Sequence, residues 1–335
     1  MKNLDEILLL GDINIDTIWP VTEFPVPGRD GLAPTVEVEI GGAVVNSALV
    51  LDSLGLRVSL IGSTGRDVWA QYVIQKLSNT GIGLSCVHGK PGVYTGLTFI
   101  IVTPDGERTM FSYRGANINL EVQDIAKDAF EHACILHISG YALMESPQRD
   151  AVWRAVELAK ENNVHISMDT GLEPAIQRPE ELNRLLPDLS VCVIGLQEAS
   201  ALLNCRTSED AANALLSYGI QLVGIKLGDQ GCLMADDSHC CSFPIFPVQV
   251  IDTTGAGDSF TAGMLFGWTR KLSLQATGTL ASALGALAAT VYGGGLGLPH
   301  KQQLLDFLCS MQGDPATVAF REGSEEVIDA LEISS

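Results

Sequence analysis

The chain has 335 residues, 46% hydrophobic and 18% charged, with 40 acidic against 20 basic side chains and a formal net charge of −20. That composition describes a folded chain with a substantial core, and its charge argues against nucleic acid or an anionic membrane as partner. Eight cysteines lie scattered without a CxxC pair, which speaks against a disulfide frame or structural zinc and for a reducing compartment.

Leu8-Leu9-Leu10 is too short for a signal-peptide core, and the longest apolar run, 280–291, is too short to cross a bilayer. The expected location is cytoplasmic. Residues 6–10 are an apolar run ending in Gly11, the pattern of a buried strand. Residues 12–18 and 35–40 alternate polar and apolar, predicting half-exposed strands. Gly41-Gly42 opens a helical pattern on Val44, Val45, Ala48, Leu49, Leu51 and Leu54, closed by Gly55. A buried strand at 58–61 and a helix over 67–77 follow. Alternating strands at 94–103 and 108–113 flank Pro104-Asp105-Gly106-Glu107, whose Asp-Gly supplies hairpin geometry.

From there, apolar runs at 135–139, 165–169, 191–195 and 222–227 alternate with helical patterns at 147–163, 179–186, 197–203 and 208–218. Such alternation predicts a parallel sheet covered on both faces. A second hairpin, 231–235 and 240–246, precedes helices expected at 259–271, 274–291 and 301–311. After Gly313 the chain is acidic and weakly periodic; a short helix at 325–331 is either a docked extension or part of a frayed tail. The predicted fold is α/β: a doubly wound, mainly parallel sheet with helices on both faces over 1–13, 42–94 and 114–335. A small β-sheet lid is expected from 14–41 and 95–113.

The stretch from Val250 to Phe260 carries the chemistry. An apolar run (Phe246, Val248, Val250, Ile251) reads as a strand, stops at Gly255-Ala256-Gly257, and gives way to a helix. Glycines allow positive φ and close approach to backbone, and a helix start offers N–H groups to an anion. A carboxylate there, Asp258, repels phosphate but makes sense as the group that takes a proton from the attacking hydroxyl. The plain alternative is a glycine turn with a helix cap. No GxxxxGK[ST], GxGxxG, GxSxG or HExxH motif occurs, so the other common nucleotide and hydrolase sites are unsupported.

Val250 to Phe260 resembles the C-terminal signature of the ribokinase-like (PfkB) carbohydrate kinases, D-T-x-G-A-G-D. The stretch Gly41-Gly42-Ala43-Val44-Val45-Asn46-Ser47-Ala48 resembles their N-terminal signature. Gly62 to Asp67 matches their G-x-x-G-x-D turn, and Lys226 to Gly231 their adenine-nucleotide turn. The resemblance implies the following roles. Asp258 is the base, and Gly255, Ala256 and Gly257 offer N–H groups to the γ-phosphate. Asn14, Asp16, Gly41, Gly42 and Asn46 hold the acceptor. Lys226, Gly228, Gly231, Thr254 and Ser282 line the ATP site, Glu198 acts on Mg2+ through water, and Asp252 binds a monovalent cation such as K+.

Some alternatives stay open. Lys226 either reaches a phosphate or is a solvated strand-end lysine, and Asp252 is either a cation ligand or a turn cap. Arg108 and Arg114 are the cations an acidic acceptor would use, although Arg108 beside its hairpin turn reads as solvated. Trp69 stands near the substrate side or in the core. Gly195 replaces the asparagine of the family's N-x-x-E motif, and Ala43 stands where ribose-specific members often carry lysine, so ribose is not favoured. The expected activity is ATP- and magnesium-dependent phosphorylation of a primary hydroxyl on a sugar, sugar acid or nucleoside, with a homodimer through the lid. The rival is a non-catalytic sugar or nucleoside sensor of the same fold.

Overall fold

The computed structural model describes residues 6–104, 108–311 and 315–333, so the Asp105-Gly106-Glu107 turn expected between two lid strands lies outside the described residues. The first part runs β1 (Glu6–Leu10), β2 (Asn14–Pro20), β3 (Glu37–Gly41), α1 (Ala43–Ser53), β4 (Arg57–Thr64), α2 (Val68–Leu77), β5 (Gly83–Gly89), β6 (Gly96–Val102) and β7 (Arg108–Tyr113). Strand–helix alternation follows with β8 (Ala133–Ser139), α3 (Gln148–Glu161), β9 (His165–Asp169), α4 (Leu172–Gln177), α5 (Pro179–Leu185), β10 (Val191–Gly195), α6 (Leu196–Leu203), α7 (Ser208–Leu216) and β11 (Leu222–Lys226). The chain closes with β12 (Cys232–Ala235), β13 (Cys240–Phe243), α8 (Ala256–Arg270), α9 (Leu274–Ala288), α10 (Lys301–Met311) and α11 (Arg321–Ile333).

Nine strands form one sheet in the order β13-β12-β11-β10-β9-β8-β1-β4-β5, in which neighbours pair parallel except at β11–β12 and β12–β13, because β12 runs against the rest. Strands covered on both faces must be apolar throughout, and β1 shows why. Its Ile7 and Leu9 join the core under α1, α8 and α9, while Leu8 and Leu10 join the core under α3, α5, α6 and α7. The chain travels from β1 to β4 and β5 on one side, then crosses back to β8 on the other. The crevice beyond the carboxyl ends of β1 and β8 is therefore the switch point where α/β sheets bind ligands. A separate four-stranded sheet, β3-β2-β6-β7, stands over that crevice and grows out of the chain just after β1.

Three expectations need correction. No strand leads into the glycine turn: residues 244–250 are irregular, because Pro244 and Pro247 withhold the N–H groups a ladder needs. Phe246 of that run is buried in a phenylalanine stack instead. β5 went unread because its mixed burial at the sheet edge leaves no clean alternation. Helix α8 also starts at Ala256, three residues before the expected Ser259, so the glycine turn itself is the helix start.

The carboxyl-terminal segment is docked. Val327 and Leu331 of α11 are fully buried in the core beside α9, and Phe320 is 1% exposed. A Leu331→Ala variant should therefore lose about 2–5 kcal/mol, read as a lower urea midpoint at constant slope. An unchanged midpoint would mean that the segment contributes no packing.

Candidate active site

The glycine turn presents donors as its sequence predicts, with one adjustment. Gly255 caps α8 with φ 76°, where a side chain would be strained, and a Cβ would meet the Leu298 side chain at 2.7 Å. Among the described residues, the N–H groups of Gly255, Gly257 and Asp258 have no protein acceptor, whereas the Ala256 N–H bends back to the Thr253 carbonyl at 3.2 Å. These free donors and the positive end of a 15-residue helix suit an anion.

Lys226, at the end of β11, reaches this turn: a Cβ on Gly257 would lie 3.6 Å from its ammonium. It is half-buried rather than solvated, and its Nζ donates to both oxygens of Asp169 at 2.8 and 2.9 Å. The Thr261 hydroxyl donates to the same carboxylate at 2.8 Å. Burial alone would discharge Lys226, but Asp169 and then Glu198 outweigh it and hold the ammonium above its ordinary range.

Asp258 sits one turn into α8, where the two halves of the site meet. Its Oδ2 accepts from the Asn46 amide at 2.7 Å, and the Asn46 Oδ1 accepts from the Gly295 N–H at 2.9 Å. The Ser47 hydroxyl donates to the Asp258 carbonyl at 2.9 Å. Burial raises the Asp258 carboxyl from 3.8 to about 6 although Asn46 favours the ionised form; Asp169 adds to the rise, while Lys226 and Arg108 oppose it.

The residues expected to hold the acceptor are built on β2. Asp16 is 6% exposed and lies directly over Gly41, where a Cβ would come within 2.1 Å of its Oδ2. Burial lifts the Asp16 carboxyl to about 7; a Thr98 hydrogen bond and Arg108 oppose that shift, and Asp258 adds to it. Arg108 thus acts on both carboxylates, and strand register explains how. Asp16 pairs with Thr98, Thr98 with Ser112, and Val102 with Arg108. Side chains two residues apart share a face, so Ser112, Met110 and Arg108 lie on the Asp16 side and Phe99 and Phe111 on the other. Arg108 is half-buried, contrary to the solvated reading.

Asn14 accepts from the Asn117 amide at 2.7 Å, and Asn117, fully buried, accepts the Ile13 N–H at 2.8 Å. The Asn14 amide donors have no partner among the described residues. Gly42 has φ 103°, and a Cβ there would come within 2.2 Å of the Asp12 carbonyl. Arg114 grips both Asp12 oxygens, at 2.9 and 2.8 Å, and Gln148, so it is spent on the scaffold. Trp69 packs against the main core beside Tyr72 and Val38.

Where the nucleotide is expected, Gly228 and Gly231 have φ of 62° and 90°, and a Cβ on Gly231 would come within 2.0 Å of the Phe243 carbonyl. Ser282 of α9 faces Cys232 across 3.4 Å. Glu198 Oε2 accepts from the Gly195 N–H at 2.8 Å and from the Thr170 hydroxyl, leaving Oε1 unused among the described residues. Asp252 is fully buried and accepts from the Thr254 N–H at 2.9 Å, the Thr254 hydroxyl at 2.8 Å and the Gly293 N–H at 2.8 Å. Its carboxylate caps the turn without settling the cation role, and among the described residues no cationic side chain pairs with it. No cluster of three or more His, Cys, Asp or Glu poised for a metal occurs among them either.

Asp169, Asn117 and Thr98 escaped the sequence reading. Asp169 had a legible signal, a carboxylate ending an apolar strand at what becomes the ligand edge of the sheet. Asn117, in a short irregular stretch, had none.

Comparison with known proteins agrees with this geometry. The family model described as pfkB family carbohydrate kinase matches residues 4–301. The 5-dehydro-2-deoxygluconokinase of Geobacillus thermodenitrificans is 30% identical over 241 residues, covering 68% of this chain and 72% of that protein. The crystal structure of ribokinase from Thermotoga maritima matches with a TM-score of 0.78 at 25% identity, covering 91% of this chain and 99% of that one. A fructokinase double mutant from Vibrio cholerae O395, in a fructose-, ADP- and potassium-bound form, matches at 0.75 and 24% identity, covering 92% and 99%. A glycine-turn donor site facing a carboxylate across a lidded crevice, with a family match over most of its length, makes this chain a member of the pfkB family of carbohydrate kinases, an ATP-dependent sugar kinase.

Proposed function

We propose that the enzyme transfers the γ-phosphoryl group of MgATP to a primary hydroxyl of a small sugar acid, with Asp258 as base. The observation that carries this is Asp258, held by Asn46 between the free N–H groups of the glycine turn and the Asp16 face of the lid. The acceptor oxygen forms a bond to the γ-phosphorus as the bond to the bridging oxygen breaks. Its proton passes to an Asp258 oxygen, and ADP leaves. The transition state is loose, so proton removal is late and a carboxylate suffices. The N–H groups of Gly257 and Asp258 and the Lys226 ammonium face the charge on the phosphoryl oxygens.

Two cations fit the residues present. Glu198 keeps one carboxylate oxygen free to hold Mg2+ through water, and the metal would neutralise phosphate charge. Asp252, buried without a cationic partner among the described residues, suits a monovalent ion such as K+. The free Asn14 amide donors and the Asp16 carboxyl suit acceptor hydroxyls.

Arg108 favours an acid over a neutral sugar, because its half-buried guanidinium on the acceptor face would pair with a substrate carboxylate. The Geobacillus relative is named for a gluconate derivative, itself a sugar acid. A nucleoside is less well served: Phe99 and Phe111 sit on the opposite lid face, where they cannot stack on a base in the crevice. That outer face, with Phe111 58% exposed, is where the expected homodimer would form.

Asp258→Asn should lower kcat by about 10²–10⁴-fold in an ADP-release assay while ATP and acceptor still bind. Retained turnover would show that another group takes the proton. Because the ionised carboxylate is the active form, kcat/KM should fall as pH drops through about 6, not through the ordinary 3.8. Arg108→Gln removes a cation that favours ionised Asp258, so it should move this acid limb upward. The same variant should raise KM for a sugar acid roughly 10- to 100-fold, the worth of a charge-assisted hydrogen bond, and spare a neutral sugar. Equal effects on both acceptors would remove the case for an acid.

A further inference from the structure

The family match ends at residue 301, yet the chain continues into a docked segment that reaches the nucleotide side of the site. Phe320 stacks on Phe246 at 3.8 Å between ring centres and on Phe243 at 6.1 Å, and all three rings are at most 2% exposed. The Phe243 ring seats on α9 at Gly278, where a Cβ would come within 2.3 Å of it. Ser282 lies one turn further along α9, on the same face. The backbone of Phe243 presses on the Gly231 turn and pairs with Cys232, the neighbour of Ser282. One residue therefore touches both walls of the nucleotide side, with its ring on α9 and its backbone on the Gly231 turn, and Phe320 holds the ring in place.

The same segment grips α9 at three further points. Glu326 accepts from both the N–H and the hydroxyl of Ser273, the residue that caps α9. Gln275 donates to the Ala319 carbonyl at 2.6 Å. At Gly323 the helices approach so closely that a Cβ would lie 2.7 Å from the Gln275 carbonyl. An interior packed this densely transmits a shift of one element to the next rather than absorbing it.

We infer that residues 317–331 are a positioning clamp for the ATP site, in which Phe320, acting through Phe243, sets the gap between the Gly228–Gly231 turn and α9. Among the described residues no hydrogen bond or ring contact joins the acceptor end, built on β2 and the lid, to this stack. The clamp rests on the reading of Gly228, Gly231 and Ser282 as the nucleotide side, so ATP binding must be measured apart from turnover.

The test uses full-length Phe320→Ala, Phe320→Leu and Glu326→Ala enzymes, with steady-state constants for both substrates and calorimetric titration of ATP without acceptor. Phe320→Ala should raise KM and Kd for ATP about tenfold, below the roughly hundredfold cost of an ångström's misplacement, and leave the acceptor KM unchanged. Phe320→Leu should restore most of the loss by refilling the space. Glu326→Ala should shift ATP in the same direction by a few-fold, and it carries the test if Phe320→Ala does not fold. ATP constants unchanged in a folded variant, or an equal rise for ATP and acceptor, would overturn the clamp. Wild-type enzyme that binds no ATP would overturn the functional reading along with it.

Discussion

One amide joins the two halves of this enzyme. Asn46 lies 212 positions before Asp258, and its side chain has one donor group and one acceptor group, each committed. The donor fixes the Asp258 carboxylate, and the acceptor fixes the Gly295 N–H of the loop that also binds Asp252 through Gly293. Helix α1 begins beside Gly41 and Gly42 and α8 begins at the glycine turn, so this contact sets the distance between the two ends of the crevice. It also tunes the carboxylate. Burial pulls Asp258 toward its neutral form, and the amide, by donating to the charged form, keeps it ionisable near neutrality.

A chain of net charge −20 must still receive a polyanion. It does so locally, because exposed charges beyond about 10 Å are screened at 0.1 M salt, whereas the groups in the crevice are not. Free N–H groups, a helix end and Lys226 converge within a few residues of Gly257. Asp169 sits behind Lys226 and holds it with both oxygens, so the ammonium stays charged and pointed while half-buried. Thr261 secures that carboxylate from α8, the helix that begins at the glycine turn. The acidic surplus is thus part of the cation's placement.

The lid shows how register decides chemistry. A shift of β7 by one residue against β6 would turn Arg108 and Met110 away from the crevice and bring Phe111 and Thr109 in, exchanging a cation for an aromatic ring. The acceptor face is consequently a property of strand pairing as much as of composition. Its other fixed point is Gly41, which leaves room for the Asp16 carboxylate where any Cβ would collide with it.

The sequence alone determined the α/β alternation, the separate half-exposed strands and the glycine turn with its carboxylate, because each is written in local periodicity or in residues with special backbone freedom. It also singled out Asp16, Asn46, Asp258 and Lys226, which line one crevice in the fold, through motifs short enough to read in one window. It did not supply Asp169, Asn117 or the orientation of Arg108, and it left the carboxyl-terminal segment undecided. Those depend on which strand lies beside which, on hydrogen bonds such as the one between Asn117 and Asn14, 103 positions apart, and on a buried stack of Phe243, Phe246 and Phe320. The two prolines that broke the expected strand before Asp252 were visible in the sequence; that Phe246 would be buried there even so was settled only by the ring packed over it. Local chemistry is encoded where it sits, whereas partnership across the chain exists only once packing has brought the partners together.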